Sequence, residues 1–232
     1  MMTGEVHVWR ASLDLPRGSL EDYRQTLSDD EKQRADRFYF SEDRDHFIAG
    51  RGILRAILSR YLKVEPARLV FDYSPHGKPF LPGDPDHLRF NASHSGESAL
   101  YALSRDREVG VDLEKIRANL DCDQIAGRYF SKKENDLLQS VPYPRRYETF
   151  FTLWTGKEAW LKAIGMGVSV PLDQFDVSGI LQASKVLVNP PGGTPGSPVW
   201  SLGRFSAGEG YAAALAVQGD DWRPQSFQFR EE

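Results

Sequence analysis

Two short segments of this chain carry acidic side chains at spacings that suit chemistry at phosphate. In the segment Val109–Lys115, apolar residues alternate with glycine or acidic residues, which predicts a strand with Asp112 and Glu114 on one face. Further along the chain, the i,i+4 spacing of Glu158 and Lys162 places both on one face of a predicted helix. Carboxylates that bind one hard cation, with a lysine beside them, are typical of sites that catalyse phosphoryl transfer.

Each segment also has an ordinary structural interpretation. Asp112 and Glu114 equally suit the hydrated face of an edge strand. Glu158 and Lys162 equally suit a helix surface, where such an ion pair stabilises by about 0.3–0.5 kcal/mol. The rest of the sequence has to decide between a site and a surface.

The composition is that of a folded protein from a reducing, aqueous compartment. The 232 residues suffice for one large domain or two smaller ones, each with its own core. A net charge of −4 argues against non-specific nucleic-acid binding, and the single Cys122 excludes an internal disulfide. No apolar run approaches the ~20 residues that cross a membrane, and the start of the chain lacks a signal-peptide pattern. We therefore expect a soluble, cytoplasmic protein with no nucleic-acid or membrane partner.

The predicted elements mix helices and strands in an α+β order. Ser28 and Ser131 each precede a Glu by three residues, which predicts a capping box at two helix starts. Residues 93–96 are predicted as a polar corner, and 189–198, rich in proline and glycine, as a loop. Helices are predicted over 18–28, 29–37, 42–62, 123–129, 131–140 and 147–164. Strands are predicted over 6–9, 69–73, 88–92, 98–104, 109–114, 185–188, 210–217 and 226–230.

A row of arginines marks one side of the helix predicted over 42–62. Arg44, Arg51 and Arg55 are seven and four residues apart, so they lie within about 20° of one line along the helix. An exposed helix surface alone accounts for some arginines. Three arginines along one side of a helix also suit the binding of an anionic ligand. Because the chain is acidic overall, the row predicts a discrete anion pocket.

Five short motifs occur in a fixed order along the chain: Gly77–Pro79, Phe90–Ser95, Gly110–Lys115, Phe130–Glu134 and Trp154–Ala159, the last followed by Lys162. Together they resemble the signature of the 4′-phosphopantetheinyl transferases, in particular the larger, surfactin-synthetase-activating type. The resemblance covers roughly residues 28–170. Each motif alone is weak, but all five in this order are specific.

The resemblance implies two similar α+β halves, residues 1–106 and 107–232, related by a pseudo-two-fold axis with the active site in the cleft between them. It also implies transfer of the 4′-phosphopantetheine arm of coenzyme A to a serine of an acyl, polyketide or peptidyl carrier protein. The other product is adenosine 3′,5′-bisphosphate. Such an enzyme serves fatty-acid, polyketide or nonribosomal-peptide synthesis, and the larger type is usually monomeric.

The resemblance assigns the metal site and the candidate acid and base. Asp112, Glu114 and Glu158 match the Mg²⁺ ligands, which agrees with the preference of Mg²⁺ for carboxylate and phosphate oxygens. Glu158 is also a candidate general base, and Glu134 or a metal-bound water is the alternative. Lys162 matches the lysine that stabilises the pyrophosphate or protonates the leaving group.

The remaining assignments concern coenzyme A. Ser93 and His94 match positions that contact phosphate, and His94 is also a candidate catalytic residue. Gly77 and Lys78 match the segment at the nucleotide end, where a glycine turn lets the backbone approach the ligand.

For the 3′-phosphate of coenzyme A, the resemblance implies a group of basic residues without selecting one. Arg34 and Arg51 lie where the family gathers such residues, and Arg44 is a neighbouring candidate. This agrees with the separate helical-row argument for an anion pocket.

Two other functions compete with the transferase. A serine hydrolase would use Ser93 or Ser95 with His94 and Asp112, but neighbours on a strand point to opposite faces, and the chain lacks Gly-x-Ser-x-Gly. A non-catalytic module that binds coenzyme A or a carrier protein is the stronger rival. Against it, the three carboxylates and Lys162 are all present.

Overall fold

The structure, a computed structural model, describes residues 1–2, 4–84, 87–165, 170–188 and 198–231. Its helices are α1 (Arg17–Thr26), α2 (Asp29–Ala35), α3 (Ser41–Leu62), α4 (Cys122–Tyr129), α5 (Lys132–Ser140) and α6 (Tyr143–Ile164). Its strands are β1 (Glu5–Ser12), β2 (Asp72–Tyr73), β3 (Pro79–Phe80), β4 (Leu88–Ser95), β5 (Ser98–Arg105), β6 (Val109–Lys115), β7 (Lys185–Val188), β8 (Trp200–Arg204), β9 (Tyr211–Gln218) and β10 (Arg223–Gln228). Among the described helices, none is both long and apolar enough to cross a bilayer.

The fold is α+β, as the sequence predicts, and two four-stranded sheets organise it. The first has the strand order β10–β1–β5–β4 and the second β6–β9–β8–β7, while β2 and β3 pair separately. In each half a strand is followed by two short helices, a 22-residue helix (α3 or α6) and antiparallel strands. This repeated order agrees with two similar halves.

Strand β10 leaves the second half and joins the first. It pairs in parallel with β1, from Glu5 opposite Arg223 to Arg10 opposite Gln228. The predicted boundary after residue 106 falls between β5 and β6, so it separates the two sheets everywhere except at this last strand. A parallel pair between the two ends of the chain needs no hairpin turn, and therefore leaves no local signal in the sequence.

Most predicted elements agree with the structure to within a few residues. The predicted polar corner at 93–96 is wrong in part, because β4 continues to Ser95. Helix α6 begins at Tyr143 rather than 147, since Pro144 fits the first turn, where no backbone N–H is needed. Strand β8 was not predicted, and β2 is shorter than the strand expected over 69–73. The loop predicted over 189–198 lies, apart from its last residue, outside the described residues.

A hydrophobic layer between the two sheets fixes the orientation of β6. Val111 and Leu113 pack in this layer with Val8 of β1 and Leu100 of β5. The opposite face of β6 lies against α6, where a Cβ on Gly110 would stand 2.1 Å from the carbonyl oxygen of Ala159. The predicted alternation is confirmed, so the acidic face of β6 turns toward α6.

Candidate active site

The edges of the two sheets meet where β4 lies beside β6. Instead of a backbone ladder, side chains at alternate positions of β4 accept hydrogen bonds from the free N–H groups of β6. The edge of β6 is satisfied in this way, and β4 is fixed in register against it. The three pairs are Asn91 Oδ1 with Val111 N (2.9 Å), Ser93 Oγ with Leu113 N (3.2 Å) and Ser95 Oγ with Lys115 N (3.0 Å).

The three predicted metal ligands share one electrostatic environment. Asp112 and Glu114 come from β6 and Glu158 from α6. Burial raises the pKa of Asp112, which is only 3% exposed. Burial followed by repulsion from Asp112 raises the pKa of both Glu114 and Glu158. Three partly desolvated carboxylates in one place favour the approach of a cation.

Lys162 supplies a positive charge at this point. Its Nζ donates to Asp112 Oδ1 at 2.6 Å and to Ser93 Oγ at 2.8 Å. Ser93 Oγ also donates to Asp112 Oδ1 at 3.0 Å, so its one hydrogen is already used and is not available to a phosphate in this arrangement. The other oxygen, Asp112 Oδ2, is buried and accepts no hydrogen bond from the described residues.

The carboxylate oxygens of these side chains are ligands that a hard cation prefers, although the side chains are not arranged around a common point. Within the described ranges, no three His, Cys, Asp or Glu side chains are placed to hold a metal ion together. Asp112 Oδ2, which has no partner among the described residues, and the neighbouring Glu114 and Glu158 nevertheless fit an oxygen-bound divalent cation.

Two adjoining cavities of about 370 and 220 Å³ form a cleft; the larger lies between the two halves, and the smaller is lined by residues of the first half alone. Both cavities are lined by Gly77, Pro79, Asn91 and Ala92. The larger cavity adds Lys78, Glu158 and Lys162, and the smaller adds Arg34, His46, Arg51, Ser93 and His94. The larger cavity therefore carries one carboxylate, Glu158, with two lysines, and the smaller cavity carries arginine and histidine side chains.

Arg51 is held in place at the cationic end of the cleft. Its Nε lies 2.9 Å from Glu31 Oε1, and its Nη2 donates to the Tyr73 hydroxyl. The guanidinium also lies over the ring of Phe71, 5.1 Å from its centroid. These contacts orient the guanidinium before any anion arrives.

Two histidines of the cleft, His46 and His94, stand close to other charges. The pKa of His94 is lowered by partial loss of hydration, then by the positive charges of Lys162 and His46. His46 Nε2 lies 2.8 Å from Asp14 Oδ1. The guanidinium of Arg34 lies over the ring of Phe47, 5.3 Å from its centroid.

The arginine row predicted from the helix does not stay together in the structure. Arg55 is 1% exposed and donates to Glu31 and to two backbone carbonyls, so it is a core residue. Arg44 is exposed and pairs with Asp45 at 3.1 Å, and it does not line either cavity. Only Arg51 of the row reaches the cleft.

Gly77 and Lys78 have different roles in the structure. Gly77 has φ +83° with open space around it, and its backbone borders both cavities. The Lys78 ammonium instead donates to Glu108 Oε2 (2.8 Å), Val109 O (3.3 Å) and Ala163 O (2.7 Å). Since all three hydrogens are used, Lys78 fastens the cleft wall to the second half.

Glu134 lies in the core of the second half. It is 0% exposed, and its oxygens accept from Ser131 N (2.7 Å) and Val177 N (2.8 Å) and pair with Lys157 Nζ (2.8 Å). A carboxylate without solvent access, with every contact internal, cannot take a proton from a substrate. Glu158, which borders the larger cavity, is the better candidate base.

His46 lines the cleft but was not predicted from the sequence. A signal was available, because residues 46, 47, 50, 51 and 54 form one continuous face of α3 and all line the smaller cavity. The predicted arginine row follows a neighbouring line on the helix and shares only Arg51 with this face.

Comparisons with known proteins show the family of this chain. The profile described as 4′-phosphopantetheinyl transferase superfamily matches residues 108–216, and that described as 4′-phosphopantetheinyl transferase, N-terminal, matches residues 16–105. The 4′-phosphopantetheinyl transferase HetI of Nostoc sp. is 41% identical over 232 residues, which covers 99% of this chain and 94% of that protein. The chain belongs to the 4′-phosphopantetheinyl transferase superfamily.

More distant relatives place this transferase in the surfactin-synthetase-activating type. The 4′-phosphopantetheinyl transferase Sfp of Bacillus subtilis is 33% identical over 158 residues, 68% of each chain. The L-aminoadipate-semialdehyde dehydrogenase-phosphopantetheinyl transferase of Xenopus laevis is 32% identical over 163 residues, 65% of this chain and 54% of that protein. The predicted family is confirmed, and the chain is a phosphopantetheinyl transferase.

Proposed function

We propose that this transferase moves the 4′-phosphopantetheine arm of coenzyme A to a serine hydroxyl of a carrier protein in a Mg²⁺-dependent reaction. The observation that carries the proposal is the cleft itself. Glu158 and Lys162 line one end, with the buried Asp112 paired to Lys162, and Arg34, His46 and Arg51 line the other end. A cleft of this charge pattern suits a cation-bound pyrophosphate with a further phosphate beyond it.

In the proposed reaction, the serine oxygen forms a bond to the β-phosphorus of coenzyme A. The bond from that phosphorus to the bridging oxygen breaks, and adenosine 3′,5′-bisphosphate leaves with the electron pair. Glu158, which borders the larger cavity, accepts the serine proton. Lys162 stabilises the negative charge that develops on the leaving phosphate.

The residues proposed to hold Mg²⁺ are Asp112, Glu114 and Glu158. When bound, the cation neutralises charge on the pyrophosphate oxygens and on the leaving group. Binding and orientation of the nucleotide fall to Arg34, Arg51 and His94 at the other end of the cleft, with Gly77 as an open backbone wall.

Mass spectrometry of an apo carrier protein, incubated with this transferase, coenzyme A and Mg²⁺, tests the proposal. We expect the carrier to gain one phosphopantetheine group, and EDTA to prevent the gain. A panel of fatty-acid, polyketide and nonribosomal-peptide carriers also identifies the preferred acceptor. No gain with any carrier, despite coenzyme A binding in calorimetry, would contradict the proposal and favour a non-catalytic binding module.

A further inference from the structure

Two serines of β4 make the same pair of contacts with two carboxylates of β6. Ser93 Oγ donates to Asp112 Oδ1 at 3.0 Å and accepts from the backbone N–H that follows Asp112. Ser95 Oγ donates to Glu114 Oε2 at 3.0 Å and accepts from Lys115 N, which follows Glu114, at 3.0 Å. The pattern repeats every two residues on both strands, so it follows from the register of the two sheet edges.

Each serine ties a carboxylate to the backbone beside it. The hydroxyl is fixed by the N–H group it accepts from, so its hydrogen has a defined direction, and this direction selects one carboxylate rotamer. One oxygen of Asp112 is held by this contact, and the buried Oδ2 is left without a partner among the described residues. A carboxylate with one oxygen held by a hydrogen bond and the other left without a partner is the arrangement that outer partners give to metal ligands.

We propose that Ser93 and Ser95 are positioning residues that hold Asp112 and Glu114 in the orientation needed to bind the divalent cation. The inference rests on the proposed function, because the cation is the one invoked there. Ser95 is the better position to test, since Ser93 also contacts Lys162 and a substitution there would disturb two groups.

The test uses three variants of the full chain. Ser95→Ala removes the hydroxyl, and Ser95→Thr retains it on a side chain that suits a strand. Ser104→Ala is the matched control, because the buried Ser104 Oγ on β5 has no hydrogen-bond partner among the described residues. Thermal unfolding establishes that each variant is folded.

The readout is calorimetric titration of MgCl₂ into each protein saturated with coenzyme A, without a carrier protein. We expect Ser95→Ala to weaken Mg²⁺ binding about tenfold or more, and Ser95→Thr and Ser104→Ala to bind within about twofold of wild type. In the transfer assay, Ser95→Ala should need more Mg²⁺ for half-maximal rate but recover kcat at saturating Mg²⁺.

Two results would overturn the inference alone while leaving the proposed function intact. In one, wild type binds Mg²⁺ and transfers the arm, and folded Ser95→Ala responds to Mg²⁺ as wild type does. In the other, Ser95→Thr loses as much Mg²⁺ affinity as Ser95→Ala, so the hydroxyl is not the cause. A wild-type protein that neither binds Mg²⁺ nor requires it for transfer would contradict both proposals.

Discussion

At the scale of single residues, neighbours on one helix have opposite environments. Lys157 is 0% exposed and pairs with Glu134, whereas the next residue, Glu158, borders the cleft and faces Asp112. Successive residues on a helix point about 100° apart, so adjacent charged residues of one motif serve the core and the site separately. Lys162, one turn after Glu158, returns to the side of the cleft.

We expect Glu134→Gln to destabilise the protein by about 3 kcal/mol, because it leaves the buried Lys157 ammonium without its counter-charge. Chemical denaturation measures the free energy of unfolding. The matched control is Asp136→Asn in the same helix, whose pair with Lys132 is exposed and should contribute no more than about 0.5 kcal/mol.

If Glu134→Gln were as stable as wild type and had lost transfer activity, Glu134 would be a catalytic base rather than a core residue. The buried ion pair would then have been assigned the wrong role.

We expect Arg51→Ala to weaken binding of coenzyme A about tenfold, since hydrogen bonds to charged groups contribute about 1.5–3 kcal/mol. Binding of the analogue that lacks the 3′-phosphate should change much less, and calorimetry with both ligands measures the difference. Arg44→Ala, from the same predicted row but away from the cleft, should bind both ligands as wild type does. An equal loss for the two ligands would show that Arg51 does not contact that phosphate.

The residue types of the site could be predicted from the sequence, but their partners could not. The alternation of β6 and the i,i+4 spacing on α6 correctly place Asp112 and Glu158 on facing surfaces. The ion pair of Lys162 with Asp112, and the use of Lys78 as a bridge, depend on contacts between residues fifty or more positions apart. Local periodicity contains no information on such contacts.

At the scale of elements, the distance between β6 and α6 is set by a glycine. A Cβ on Gly110 would stand 2.1 Å from Ala159 O and 2.4 Å from Ala163 N, both of which are backbone atoms of α6. A larger residue would therefore push apart the strand that carries Asp112 and the helix that carries Glu158.

We expect Gly110→Ala to destabilise the protein by about 3 kcal/mol, and to lower the transfer rate even where the protein is folded, because the carboxylates separate. Gly127→Ala in α4 is the control, since a Cβ there meets nothing within 4 Å and alanine favours a helix. Denaturation and transfer assays measure both effects. A Gly110→Ala variant with wild-type stability and activity would show that the close approach of α6 is not required.

The helices were predicted well because capping and periodicity are local. Ser28 and Ser131 form capping boxes as expected. The sequence does not predict that β4 extends through Ser95, because polar serines are typical of a turn. In the structure their hydroxyls accept hydrogen bonds from backbone N–H groups of β6. A strand whose polar side chains bond to the edge of another sheet therefore has a sequence that resembles a polar loop.

At the scale of the whole molecule, the end of the chain stabilises its beginning. Strand β10 pairs with β1, and Phe229, which follows it, is 8% exposed in the core of the first half. Its ring lies 6.4 Å from that of Trp9 and under the guanidinium of Arg60 at 5.0 Å. The two halves are therefore joined by strand β10, which crosses from the second half to the sheet of the first, as well as by the hydrogen bonds between β4 and β6.

We expect Phe229→Ala to lower the free energy of unfolding by about 3 kcal/mol, the lower end for a buried Phe, because the ring is slightly exposed. Leu187→Ala on β7, where the side chain is 62% exposed, should change it by no more than about 0.5 kcal/mol. Denaturation curves compare the two variants. Equal stabilities would mean that the C-terminal segment does not contribute to the first half.

The central claim is that chemistry takes place where the acidic face of β6 meets α6 across the cleft. The most direct test follows the modification of an apo carrier protein by mass spectrometry, with wild type and Glu158→Gln compared at saturating coenzyme A and Mg²⁺. With both proteins folded, we predict that the variant is slower by about a hundredfold or more. A Glu158→Gln variant that modifies the carrier within a few-fold of the wild-type rate would contradict the claim.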